Sequence, residues 1–215
     1  LRKFYDNIIV TPLLCQQEKA ILKGPGYICG VSPFTIESLT NVKFSHGERL
    51  SVMPIPVDTS KYFPADNFKS GRIGFVGRLN DPRKNINLLF DVVEILKFNE
   101  TKFELCLAGI GGEEFKDQVK LRGLEKNIRF VGQLSEAKLL NFYQSLDLFV
   151  IPSHQEGLAI VGLEAMAAGL PIISTRCGGP EAYVRDQQNG FLVNSDAKEM
   201  ATAIKRILIN RETRG

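Results

Sequence analysis

The sequence predicts an α/β fold built on a doubly wound parallel sheet, and three observations carry that expectation. From residue 72 onward, short apolar runs alternate with longer amphipathic segments, the pattern of strands joined by helical crossovers. Glycine or proline follows the runs at Gly77, Gly109, Gly132 and Pro152, where strand gives way to loop. The 215 residues are 44% hydrophobic and 24% charged, enough for one packed domain and a smaller piece but marginal for two full domains.

Taken in order, Arg72–Val76 is the first strand, ended by Gly77. A charged loop leads into Ile86–Phe98, whose apolar residues Ile86, Leu89, Phe90, Val93, Leu96 and Phe98 fit helical spacing. Phe103–Ala108 is the second strand, closed by Gly109-Ile110-Gly111-Gly112, and Glu113–Leu121 is a second amphipathic stretch before the strand Ile128–Val131. Ser135–Leu146 reads as a helix with Ser135 as its N-cap. Leu148–Ile151 is a strand stopped by Pro152, Leu158–Ala168 a helix stopped by Gly169, and Pro171 opens the strand Ile172–Thr175. Gly190–Val193 and Ala197–Ile209 supply the last strand and helix. Right-handed crossovers gather the loops after Gly77, Gly109, Gly132 and Pro152 at the carboxyl ends of the strands, where such sheets bind ligands.

Residues 1–66 differ. They hold two apolar runs, Ile8–Val10 and Tyr27–Val31, and the proline-rich Met53-Pro54-Ile55-Pro56, too little core for an independent domain. Asp58–Ser70 reads as a linker, so the expected organisation is a small 1–66 piece and a 67–215 domain.

Composition excludes several classes. The net charge is +3 with Lys and Arg dispersed, which gives no support to nucleic-acid binding or membrane coating. Cys15, Cys29, Cys106 and Cys177 form no CxxC pair and are expected as reduced, buried thiols of a cytosolic protein. With only His46 and His154, no histidine-rich metal cluster can form. No apolar run approaches the ~20 residues of a membrane span. There is no signal peptide at Leu1, and because the first residue is not Met the true start is expected upstream.

The most informative segment runs from His154 to Gly169. Between Leu158 and Leu170 the only ionisable residue is Glu164. A helix apolar all round is buried, and a buried carboxylate needs hydrogen-bond donors. Those donors are either neighbouring backbone amides, in a structural role, or the hydroxyls of a ligand such as a ribose. Glu156 stands just before the helix, as a helix N-terminal charge or as a ligand contact. Gly157-Leu158-Ala159-Ile160 opens the same helix, whose first N–H groups can hold an anion. In Gly77-Arg78-Leu79-Asn80-Asp81-Pro82-Arg83-Lys84-Asn85, Arg78 and Lys84 flank one strand end, either as solvated surface residues or as the two cations a diphosphate needs. The run Gly109–Gly112 fails as a dinucleotide fingerprint because position 114 is Glu. No P-loop and no Asp-x-Asp sequence occurs.

Glu156 and Glu164, separated by seven residues and followed by Ala-Met-Ala-Ala-Gly-Leu-Pro, resemble the E-x7-E signature of the GT-B glycosyltransferases, specifically the large retaining family 4 (glycosyl transferases group 1). Gly77-Arg78-Leu79 with Lys84, Leu107-Ala108-Gly109, Phe130-Val131-Gly132, Pro152-Ser153, Gly178-Gly179-Pro180-Glu181 and Asn189–Val193 follow in the family's order. Together they cover residues 72–208. Upstream, Gly30–Phe34 is similar to the last strand of the family's acceptor domain. Pro56-Val57-Asp58-Thr59 through Phe63-Pro64 is similar to its interdomain segment, with Ile55-Pro56 in place of Asn-Gly.

The resemblance implies that residues 67–215 are a Rossmann-like C-terminal half of a GT-B fold, holding a nucleotide-sugar donor. Arg78 and Lys84 would neutralise the donor diphosphate, Glu164 would hold the ribose hydroxyls, and Glu156 would contact the donor sugar. The amides from Gly157 through Leu158, Ala159 and Ile160 would cap phosphate and sugar, and Leu134 would pack near the base. No metal or other cofactor is expected, because cations and amides can stabilise the departing charge. A UDP-sugar is expected ahead of a GDP-sugar. The acceptor is a saccharide, a lipid carrier or a small molecule, and the N-terminal domain of the same enzyme is an expected partner. Location is expected to be cytoplasmic, or peripheral at the inner membrane face. Residues 1–215 are expected to be a fragment that by itself binds nucleotide weakly and transfers sugar poorly or not at all. The competing reading is a non-catalytic nucleotide-binding or interaction module of the same fold. Arg78, Lys84, Glu156 and Glu164, all present, argue against it.

Overall fold

The protein is described here from a computed structural model covering residues 20, 26–41, 49–64, 71–99 and 101–209. The run Ile8–Val10, Cys15 and His46 lie outside the described residues. The chain forms two compact units, Leu1–Pro54 and Ile55–Gly215. In the first, β1 (Ile28–Gly30) pairs in parallel with β2 (Leu50–Val52), Ile28 opposite Leu50. Helix α1 (Pro33–Asn41) packs on both. Its start is capped by Ser32, whose hydroxyl accepts the Thr35 N–H at 3.2 Å.

The second unit carries β3 (Arg72–Val76), β4 (Glu104–Ala108), β5 (Ile128–Gly132), β6 (Leu148–Ile151), β7 (Ile172–Thr175) and β8 (Gly190–Val193). They form one all-parallel sheet in the order β5-β4-β3-β6-β7-β8. This is the strand order of two mononucleotide-binding halves, reversing between β3 and β6. The helices are α2 (Ile86–Phe98), α3 (Lys116–Leu121), α4 (Glu136–Gln144), α5 (Ile160–Ala167) and α6 (Ala197–Ile209). Because both faces of the sheet are covered, β6 and β7 are buried along their whole length. Alternate residues feed two cores. Leu148 and Val150 join α2 and α6 on one side, while Phe149 and Ile151 join α4 and α5 on the other.

Residues 55–64 belong to the second unit. Gln144 Nε2 donates to the Phe63 carbonyl at 3.0 Å, Lys61 pairs with Glu136 at 2.8 Å, and Pro64 packs over Gly169. The stretch expected as linker is therefore seated on α4 and the end of α5 over Asp58–Pro64.

Several expectations are corrected. Helix α2 buries Leu88 and Val92 in addition to the expected stripe because α6 packs alongside it, while Phe98 at its end is 89% exposed. Glu113–Leu121 divides into a 3-10 turn, Glu113–Phe115, and α3. Ser135 occupies the N-cap of α4 but its side chain makes no cap bond. Helix α5 begins at Ile160, two residues later than expected, because Ala159 is left-handed at φ 59°. Tyr183 holds that turn by donating to the Ala159 carbonyl at 3.0 Å. Nor is α5 sealed all round: only Gly162 and Ala165 are buried, and Glu164 is half-buried. Cys106 and Cys177 are buried as expected but Cys29 is exposed beside Ser51, and none of the three is disulfide-bonded.

Candidate functional site

The strand order reverses between β3 and β6, and the loops after these strands form the two walls of a crevice at the carboxyl edge of the sheet. The first wall is Gly77–Asn85. Leu79 anchors it in the core, and its N–H bonds to the Ile110 carbonyl at 2.8 Å. The loops after β3 and β4 meet without a gap. A Cβ at Gly109, which sits at φ 137°, would land on the Gly77 carbonyl oxygen, so only glycine fits there. Asp81 then starts a 3-10 turn, Pro82–Lys84, with proline at its opening. Its carboxylate accepts Arg83 N–H at 3.1 Å and the Arg83 guanidinium at 3.1 and 2.7 Å. Hydrogen bonds from the Arg83 side chain, ahead of the backbone bond and the Arg83 and Arg78 charges, bring the Asp81 carboxyl down to about 2. Arg78 leans on the same carboxylate at 3.4 Å and is 64% exposed.

The second wall follows β6. Glu156 is clamped through its backbone, bonding to Cys177 O and receiving Gly179 N, both at 2.8 Å. Gly179 is needed there because a Cβ would overlap the Leu158 backbone. Oε1 of Glu156 receives Lys84 Nζ at 2.7 Å and the buried Ser153 hydroxyl at 2.6 Å. Among the described residues its Oε2 has no hydrogen-bond partner. Ser153 is itself fixed by Thr175, which donates to the Ser153 carbonyl at 2.5 Å. Eight residues on, Glu164 receives the Tyr143 hydroxyl at 2.8 Å on Oε2. Burial, followed by the charge of Glu164, pushes the nearby Tyr62 phenol up to about 12 and the Tyr143 phenol higher still. Tyr183 is likewise raised, chiefly by burial.

The structure brings Lys84 and Glu156 into direct contact across the crevice. Arg78 and Leu134 share a cleft of about 270 Å³ with Val76, Ala108, Ile110 and Leu139, over the ends of β3, β4 and β5. Gly157, Leu158 and Ala159 precede α5 rather than forming its first turn, so of the expected amides only Ile160 lies on the helix. Leu158 is buried, and Ile160 is exposed. Asp81, Arg83 and Ser153 stand inside the sequence motifs without an assigned role, and Thr175 and Tyr143 carry no motif of their own. Asp-Pro ahead of a charged turn was a legible capping signal for the first of these. A hollow of about 290 Å³ between Pro171, Asn189, Phe191 and Arg206 lies at the amino ends of β7 and β8 and contains none of the candidate residues. Among the described residues no group of three or more His, Cys, Asp or Glu is arranged to hold a metal, and no helix is long and apolar enough to cross a membrane.

The glycosyl transferases group 1 model matches residues 60–215. The chain belongs to that family. The sulfoquinovosyl transferase SQD2 of Arabidopsis thaliana is 36% identical to it over 143 residues, covering 65% of this chain and 27% of SQD2. The sucrose-phosphate synthase of Thermosynechococcus elongatus superposes with a TM-score of 0.80 at 26% identity, over 92% of this chain and 52% of the synthase. Anabaena HepE, solved with UDP and glucose, has the same fold, with a TM-score of 0.76 at 20% identity over 88% of this chain and 55% of HepE. The group 1 chain described here thus spans about half, or less, of the length of these three relatives.

Proposed function

We propose that the second unit is the donor-binding part of a retaining family 4 glycosyltransferase, moving a sugar from a nucleoside diphosphate to an acceptor hydroxyl. The observation that carries this reading is the Lys84–Glu156 contact of 2.7 Å at the strand-order reversal, with Arg78 on the same wall and Glu164 behind it. A departing nucleoside diphosphate accumulates negative charge, which Arg78, Lys84 and the Ile160 amide are placed to stabilise. Glu156 Oε2 remains available to the donor sugar, Glu164 to the ribose, and the cleft beside Leu134 to the base. The HepE complex with UDP and glucose favours a UDP-sugar ahead of a GDP-sugar. The acceptor is a hydroxyl on a saccharide, lipid carrier or small molecule, and the protein's other domain is its partner in holding it. The charge stabilisation described needs no metal.

Calorimetric titration with UDP, GDP and ADP tests the reading, with the Arg78→Ala, Glu164→Ala double variant alongside. Saturable binding of one nucleotide, lost in the variant, is expected. Binding that survives in the variant, or that is absent for all three nucleotides in the full-length protein as well, removes the assignment. Transfer assays on full-length protein then separate the enzyme from a non-catalytic module.

A further inference from the structure

Glu164 is half-buried on a helix that offers no other ionisable group. A carboxylate in that setting is left free to turn unless a neighbouring element supplies a donor. Helix α4 supplies one. Tyr143 is fully buried and its ring is fixed on several sides, meeting Tyr62 edge-on at 5.8 Å and Phe149 at 5.7 Å, with Phe142 tilted at 6.2 Å. Its hydroxyl reaches Oε2 of Glu164 at 2.8 Å. Burial and the adjacent carboxylate keep the phenol protonated, so it acts as a donor at every physiological pH.

We propose that Tyr143 is a positioning residue for ribose recognition: by holding Oε2 of Glu164 it sets the carboxylate plane and presents Oε1 to a ribose hydroxyl. The proposal rests on the reading that Glu164 receives the ribose. A carboxylate that must stop turning before it can accept a hydroxyl loses affinity for that hydroxyl, and pre-setting it avoids this loss. The rigid ring makes the setting independent of ligand. Tyr62, on the seated 55–64 segment, stands edge-on to the same ring and also feels the Glu164 carboxylate through its charge and a hydrogen bond, a second phenol on the proposed ribose-binding group.

The test is a hydroxyl-deletion cycle on the full chain. The protein is titrated with UDP, GDP and ADP, and the tightest binder is then compared with its 2′-deoxy and 3′-deoxy forms. Wild type is expected to favour the ribonucleotide by about ten-fold or more, the usual scale for a hydrogen bond to a charged group. Tyr143→Phe keeps the ring and removes only the hydroxyl. It is expected to weaken the ribonucleotide while leaving the matching deoxynucleotide unchanged, so that the preference shrinks to about two-fold, a general loss of packing being excluded because it would weaken both alike. Glu164→Gln is expected to lose the preference as well. A preference kept in Tyr143→Phe but lost in Glu164→Gln overturns the proposal alone. A preference kept in both, or no nucleotide binding at all, overturns the ribose reading beneath it. Should Tyr143→Phe fail to fold, Glu164→Asp draws the carboxylate one methylene back from the phenol, and an undiminished preference there equally overturns the proposal.

Discussion

The two walls of the crevice solve different problems. The wall after β3 carries cations on the surface, tied by ionic contacts among Arg78, Asp81 and Arg83 that water can replace. The wall after β6 carries carboxylates, each with one oxygen tethered by a buried hydroxyl, Ser153 for Glu156 and Tyr143 for Glu164. Exposed ionic ties contribute little to stability and can be exchanged for a charged ligand at small cost. Buried hydroxyl tethers are expensive to break, and they suit groups that must meet neutral hydroxyls in one geometry. Lys84 is the exception, a cation of the first wall whose partner is a carboxylate of the second. It joins the two.

That joint is where the largest effect is expected. On the proposed reading, Lys84→Ala removes a cation from the departing diphosphate and leaves Glu156 short of its partner, so kcat of the full-length protein is expected to fall about 10³-fold. A loss no greater than that of Arg78→Ala would mean that the walls are not divided as described. Ser153→Ala strips a tether from the second wall while leaving the cation, and about ten-fold in kcat is expected to go, a loss of about 1–2 kcal/mol, with Tm lowered by a few degrees. An unchanged kcat would show that the hydroxyl tether is decoration. The smallest effect concerns the first wall and acid. The Asp81 carboxyl is lowered to about 2 from 3.8, so its contribution is present above pH 3.8 and is lost progressively as pH falls from 3.8 through about 2. Carboxyl NMR is expected to give a titration midpoint near that value, moving toward 3.8 in Arg83→Ala. A wild-type midpoint already at 3.8 would mean the Asp81–Arg83 tie does not persist in solution.

The alternation of strands and helices was readable because the strands are compact apolar runs, four of them ended by Gly77, Gly109, Gly132 or Pro152, and β6, β7, β8 and α6 match their expected limits. The Lys84–Glu156 encounter was not legible: the resemblance put Lys84 at the diphosphate and Glu156 at the sugar, and nothing local pairs residues 72 positions apart. What stayed hidden depends on contacts between distant segments. Nothing local tells an alanine to adopt φ 59°; Ala159 does so because Tyr183, 24 residues later, captures its carbonyl and Gly179 admits the backbone of Leu158. Glu164 was expected to be sealed inside an apolar helix, yet α5 presents one flank outward, and its donor comes from a phenol on another helix.

The glycine-on-carbonyl stacking of Gly109 against Gly77 also bears on engineering. The loops after β3 and β4 share one surface with no tolerance between them. An exchange of donor preference by grafting loops from a relative must therefore move residues 77–85 and 109–112 as a single cassette. A graft of either half alone sets a foreign backbone against a partner shaped for the original, and the chimera fails at the fold before its specificity can be measured.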